Sequence, residues 1–338
     1  MKSIFDISKS DRAELFTQAA LKIGIGQPGI IEKDFWLVKT LQWLFSSDDF
    51  KKNHVFKGGT SLSKCFNLIQ RFSEDVDITI AKSLLGFNEQ DSEVAAFGNK
   101  RRKRYFDELS TATEKHVDVI ASQLNKKLQS KSEEGAIYVD REDQQQVIFE
   151  YPKTFEKSIY PEDSYIRQRI LLEFGCRGDV TPACDASVHS YAEEMFSNAF
   201  TSMFVTVNVL APERTFWEKA TLLHMLANQD SSKSLQPRMA RHYYDVYKLS
   251  QSDVMKSAIN NISLLETVAI HKSVYFKSRQ ASYETARPGT LKLIPSDALI
   301  QKIESDYSAM EEMFFGEVIS FDDILEQLTI VENQINQL

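Results

Sequence analysis

The chain has 338 residues, 42% of them hydrophobic and 26% charged, with 12 Gly, 8 Pro and a formal net charge of −8. Such a length holds two or three domains, or one core domain with a helical extension, and the composition excludes a disordered or fibrous chain. The acidic balance argues against a protein that coats nucleic acid indiscriminately, because phosphate binding draws on clustered Lys and Arg.

The N-terminal MKSIFDISKSDRAELF lacks the apolar run and cleavage site of a secretory signal, so the expected compartment is the cytoplasm. No later stretch approaches the about 20 apolar residues of a membrane span. Residues 31–45 (IEKDFWLVKTLQWLF) carry Ile31, Phe35, Val38, Leu41, Leu44 and Phe45 at helical period, which predicts a helix with a core-facing stripe. His54 to Lys57 reads as a short strand broken by Gly58-Gly59, and TSLSKCFNLI then opens on a capping hydroxyl and continues at helical spacing. Cys65 lies in this helix; with Cys176 and Cys184 it can neither build a disulfide framework nor match a zinc spacing, and all three are expected as reduced thiols. Asp75-Val76-Asp77-Ile78-Thr79-Ile80 alternates strictly, so Asp75 and Asp77 project from one face of a strand and the aliphatic residues from the other. Residues 82–135 read as mostly helical and polar. Between 100 and 131 stand nine basic residues against four acidic ones, a segment that either meets a polyanion or is a solvated helix face. AIYV and QVIFEY flank DREDQ as a hairpin, RILLEFG (169–175) and MFVTVNVL (203–210) read as strands, and Pro212 sits where a helix can start. Helices dominate from there onward.

Two glycines at a strand-to-helix turn let backbone approach a phosphate chain, and Gly58, Gly59, Thr60 and Ser61 offer that arrangement, although such a turn is also common as plain structure. Asp75 and Asp77 on one strand face repel each other unless a cation compensates, and hard oxygen ligands of this kind suit Mg²⁺ or Mn²⁺. Glycine turn, helix and Asp-x-Asp strand in that order are a more specific signal than any of the three alone.

KGGTSLSK (57–64) followed by RFSEDVDI (71–78) resembles the DNA polymerase β nucleotidyltransferase signature, specifically that of the AbiEii/AbiGii toxin family with its MenT relatives. EKDFWL (32–37), PERTFWEKATLLH (212–224), RHYYDVYKL (241–249) and GTLKLIPSD (289–297) also look like that family's segments, so the resemblance spans most of the chain. It implies an α/β (α+β) fold: a polymerase β type core with a mixed sheet and helical insertion over residues 1–210, and a mainly helical domain over 211–338 that completes the active-site cleft. It implies transfer of a nucleoside monophosphate from an NTP to an acceptor, the 3′ end of tRNA in MenT-type members, with Mg²⁺ or Mn²⁺ as cofactor and a cognate antitoxin as partner. Asp75 and Asp77 match the family's metal-binding pair. A third carboxylate from a neighbouring strand usually completes such a site, and Glu173 is the candidate. Lys219 lies on the apolar stripe of its helix between Phe216 and Leu223, where a lysine either snorkels or aims at a negative group; by resemblance it contacts the nucleotide phosphates. Asp245 is an active-site residue by resemblance, while its spacing from Arg241 and Arg238 also allows a helix-face ion pair. Ser73 either binds phosphate or caps the strand, and Glu32, Lys33 and Asp34 carry no role readable from the sequence. Tyr243, Tyr244 and Tyr247 are candidate base-stacking surfaces. The net charge of −8 keeps a protein acceptor open, and a growth-inhibiting nucleotide-binding module and a small-molecule nucleotidyltransferase stand as further readings.

Overall fold

A computed structural model describes residues 7–132, 134–156, 159–160, 166–196, 204–230, 235–278, 281–315 and 318–338. The chain folds as two compact units, one made of residues 1–66, 72–88 and 103–209, the other of residues 67–71, 89–102 and 210–338.

The first unit is built on a mixed seven-stranded sheet in the order β3-β4-β5-β2-β1-β7-β6. Its elements in chain order are α1 (Lys9–Ile23), α2 (Pro28–Phe45), α3 (Asp48–Asn53), β1 (His54–Lys57), α4 (Gly58–Lys64) and β2 (Asp75–Ile80). After α5 (Asp91–Ala95), which belongs to the second unit, come α6 (Asn99–Gln129), β3 (Ala136–Val139), β4 (Gln146–Glu150), β5 (Ile170–Gly175), β6 (Ala183–Val188), α7 (Tyr191–Met195) and β7 (Val205–Leu210). The expected hairpin is there as the antiparallel pair β3/β4. At the centre, β2 runs antiparallel to β1 and parallel to β5. Its aliphatic residues Val76, Ile78 and Ile80 are fully buried, as alternation requires, while Asp75 and Asp77 are half-buried. Helix α2 is buried almost all round. Trp36 stacks on Tyr151 and meets Phe149 edge-on, and Phe35 packs on Phe16 of α1. The helix read through TSLSKCFNLI stops at Lys64, and Asn67 takes a left-handed backbone (φ 50°) that cannot continue it.

The second unit is helical: α8 (Pro212–Ala227), α9 (Ala240–Ser250), α10 (Asp253–Asn260), α11 (Ser263–Tyr275), α12 (Asp297–Ser308) and α13 (Phe321–Asn336). Pro212 occupies the first turn of α8, where no amide hydrogen is needed. The segment 67–71 joins this unit through a bridge between Arg71 and Phe314 and the Phe315 amide bonded to the Gln70 carbonyl. No helix among the described residues is long and apolar enough to cross a membrane.

Candidate active site

In the first unit the chemistry-bearing residues gather where β1 hands over to α4 beside β2. Gly58 has φ +81°, which a side chain rarely adopts, and a Cβ there would lie 2.8 Å from the Asp77 Cγ. Glycine is thus required twice, by the turn and by the carboxylate lying against it. The hydroxyls of the turn are committed internally: Thr60 Oγ1 donates to the Asp75 carbonyl and Ser61 Oγ to the Gly58 carbonyl at 2.9 Å, and both residues are fully buried. Gly58 and Gly59 remain half-exposed.

Strand register lays a polar row across the sheet. Lys57 of β1 pairs with Asp77 of β2, Asp77 with Glu173 of β5, and Glu173 with Gln146 of β4. Register partners share a face, so Glu173 stands beside Asp77 on the neighbouring strand. Strand β5 is not buried on both faces: Ile170, Leu172 and Phe174 are buried and Glu173 is half-buried, with one oxygen accepting from Gln146 Nε2 at 2.9 Å. Asp77 has no hydrogen-bond or ion-pair partner among the described residues, and neither does the half-buried Ser73 hydroxyl. Oxygen donors of this kind fit Mg²⁺ or Mn²⁺, which are commonly bound through one or two carboxylates with water and substrate phosphate supplying the rest. No group of three His, Cys, Asp or Glu side chains converges as a ready-made cage among the described residues, so the fit is to that open mode of binding.

The three charges at the start of α2 have destinations that sequence reading left blank. Consecutive helix residues point about 100° apart, and each charge finds a different segment of the same unit. Glu32 accepts from the Thr154 amide at 2.6 Å and from the Tyr160 hydroxyl; burial raises its pKa against those bonds. Lys33 donates to Glu74 at 2.6 Å and to the Arg167 carbonyl at 2.5 Å, tying the approach to β2 to the approach to β5. Asp34 pairs with Lys64 at the end of α4 (2.8 Å) and accepts from the Tyr191 amide at 2.7 Å. All three are at most 1% exposed, which makes them braces and excludes surface decoration.

In the second unit, Lys219 of α8 and Asp245 of α9 meet directly. Lys219 Nζ lies 2.8 Å from Asp245 Oδ2 and 3.3 Å from His242 Nδ1, and Arg71 grips the same carboxylate with Nε and Nη2, both at 2.8 Å. Burial alone would raise the Asp245 pKa, but the two cations outweigh it and hold the carboxyl well below its ordinary range. Lys219 is buried and shares one anion with Arg71, so its pKa is lowered. His242 is pushed well below its usual value by burial and by Lys219 and Arg241; it is neutral, and its Nδ1 accepts from the ammonium. Arg238 does not share the helix face of Asp245: it precedes α9 with φ 67°. Tyr243 and Tyr244 are not stacking surfaces either, since both are buried, Tyr243 edge-on to Phe321 and Tyr244 against Phe314. Tyr247 is half-buried. The last residue of PERTFWEKATLLH is structural, since His224 Nδ1 accepts the Lys292 amide at 2.9 Å and so fastens GTLKLIPSD.

Arg71 is the member of the Lys219–Asp245 cluster that sequence reasoning missed. The available signal was its place at the head of RFSEDVDI, four residues before Asp75.

The fold is similar to that of the nucleotidyltransferase toxin MenT4 from Mycobacterium tuberculosis H37Rv, with a TM-score of 0.54 and 14% identity over 98% of this chain and 90% of that one. No curated protein sequence matches the chain. Residues 41–327 match the family described as "Nucleotidyl transferase AbiEii toxin, Type IV TA system". That span takes in the glycine turn, the Asp-x-Asp strand, Glu173, Lys219 and Asp245, and the chain belongs to the AbiEii nucleotidyltransferase toxin family of type IV toxin-antitoxin systems.

Proposed function

We propose that the protein transfers a nucleoside monophosphate from an NTP to the 3′ end of tRNA, blocking translation until a cognate antitoxin restrains it. The observation that carries this reading is the polar row of Lys57, Asp77 and Glu173 beside the glycine turn, with the Asp77 carboxylate unpartnered among the described residues. Asp75, Asp77 and Glu173 would hold Mg²⁺ or Mn²⁺, which when bound supplies charge neutralisation at the phosphates. Gly58 and Gly59 open room for the phosphate chain to approach backbone, and Ser73 offers a hydroxyl from the same segment. The acceptor hydroxyl attacks the α-phosphorus in line, the new P–O ester bond forms as the bond to the β-phosphate oxygen breaks, and pyrophosphate leaves. The hydroxyl proton passes to a carboxylate or to water. Lys219 is the phosphate-binding lysine by family resemblance, and within the helical unit Asp245, which Arg71 also grips, and His242 fix its position.

Incubation with total tRNA, Mg²⁺ and each α-³²P-labelled NTP, beside the Asp75→Ala, Asp77→Ala variant, tests the reading. Label on tRNA that vanishes in the variant supports it and identifies the nucleotide. A protein acceptor is the second reading, favoured by the net charge of −8, and label on protein alone would replace the first. The cytoplasm is the proposed compartment for either.

A further inference from the structure

Lys57 is a charged residue that neither the family segments' expected roles nor the ion-pair networks absorb. It is the last residue of β1, directly before Gly58, and its register partner across the antiparallel pair is Asp77. Opposite charges facing each other on adjacent strands ordinarily pair. Here they do not: no ion pair joins them, and neither side chain has a hydrogen-bond or ion-pair partner among the described residues. The lysine turns instead along the sheet. Its Nζ ends beside the loop after β5, where a Cβ built on Gly178 would lie 3.1 Å from Nζ and 2.9 Å from Thr79 Oγ1. Lys57 is only half-exposed, so its ammonium has given up part of its water without gaining an anion, an arrangement that is costly unless an anionic ligand completes it. Asp77 is in the complementary position, a carboxylate in want of a cation.

We propose that Lys57 Nζ binds the β- and γ-phosphates of the NTP, holding the pyrophosphate that leaves, and that Gly178 is glycine so that Nζ has room to do so. This rests on the nucleotidyl-transfer reading. One ligand, a metal-bound triphosphate, satisfies both unpaired charges at once, the metal going to Asp77 and the terminal phosphates to Lys57. The contrast with Lys219 is direct: Lys219 already holds an anion, and Lys57 holds none among the described residues.

The test is isothermal titration of the full-length protein with inorganic tripolyphosphate and Mg²⁺, with ligand-free thermal unfolding measured alongside. Lys57→Met is expected to weaken binding about tenfold or more, and Lys57→Arg to restore most of it, because the loss is that of a charged hydrogen bond. Without ligand, Lys57→Arg should unfold close to the wild type and Lys57→Met no lower than it, because the ammonium it removes holds no anion among the described residues. Gly178→Ala, which keeps the charge but crowds Nζ and Thr79, should weaken binding several-fold. Wild-type affinity in Lys57→Met, in a protein that transfers label to its acceptor, overturns the assignment of Lys57 and leaves the transferase reading standing. A wild-type protein that binds no tripolyphosphate and transfers no label overturns both.

Discussion

Two sites, one in each unit, handle charge in opposite ways. On the face of β1, β2 and β5, Lys57 and Asp77 stand in register with no partner among the described residues. In the helical unit, one carboxylate at 0% exposure is gripped by Arg71 and Lys219. The first arrangement gains little from its charges as it stands, whereas the second draws two cations onto one carboxylate. Lys57 and Asp77 therefore differ from Asp245 in what their charge already holds before any ligand, and substitutions should separate the two cases again.

The largest effect is expected at the closed cluster. Asp245→Ala strands Arg71 and Lys219 without their shared anion, and removing one partner of a buried pair costs about 3–5 kcal/mol. Thermal unfolding should show a marked fall in the midpoint; an unchanged midpoint would mean the cluster is kept for binding alone. Lys33→Met follows, at about 3 kcal/mol, because it takes the ammonium from buried Glu74 and one of two donors from the Arg167 carbonyl, which keeps the Arg169 amide. The double variant Lys33→Met, Glu74→Leu removes both charges and should recover much of that loss. If it is no more stable than the single variant, the carbonyl tie matters more than the ion pair.

Acid pH sharpens the comparison, because the units give way over different windows. His54, buried in β1, stacks on Phe50 with ring centroids 3.8 Å apart, donates from Nδ1 to the Phe50 carbonyl (2.9 Å) and faces His116 Nε2 at 3.0 Å. With Nδ1 protonated, Nε2 must be the acceptor, and burial pushes the imidazole down to about 4. An imidazole whose folded pKa lies below the unfolded value of about 6.5 gains its proton on unfolding across that interval. Its stability contribution is therefore intact above about pH 6.5, erodes as pH falls and levels off below about 4, a span of about 3 kcal/mol. Asp245 has the opposite sign: its carboxyl, held down by two cations, stabilises the fold above its unfolded value of about 3.9 and fails only at lower pH. Hydrogen exchange corrected for intrinsic rates should show residues 50–57 and 110–120 losing protection between pH 6.5 and 4.5 while residues 241–249 keep theirs. Simultaneous loss in both would contradict this order.

What the sequence made legible was local. The alternation in Asp75 to Ile80 forces the two carboxylates onto one face, and Pro212 marks the start of α8, because both signals lie within a few neighbouring residues. The illegible parts depend on residues far apart in the chain. Arg71 and Asp245 are separated by 174 positions, and nothing near either one announces the other. Glu32, Lys33 and Asp34 sit on a helix buried on almost every side, where a polar residue breaks the hydrophobic pattern without indicating which neighbour answers it. The pose of Lys57 is decided by Gly178, beyond a parallel crossover whose register the sequence does not encode locally.

The smallest expected effect on stability is the most telling. Asp77→Asn removes a half-buried charge that has no partner among the described residues, lies against Gly58 and sits in register with Glu173, a like charge. Its loss breaks no ion pair and relieves any repulsion, so unfolding free energy should move by no more than about 0.5 kcal/mol, with a slight gain as the more natural sign. The same substitution removes the proposed anionic metal ligand, because an amide oxygen is a far weaker donor to a hard cation than a carboxylate. Mn²⁺ in excess of its dissociation constant should raise the wild-type unfolding midpoint, since a ligand that binds only the folded state stabilises it by mass action. Asp77→Asn should lose that response together with transfer while keeping the metal-free midpoint. A metal-free midpoint that instead fell as far as that of Asp245→Ala would show Asp77 to be a structural charge after all, and the contrast with Asp245 would fail at the residue where it matters most.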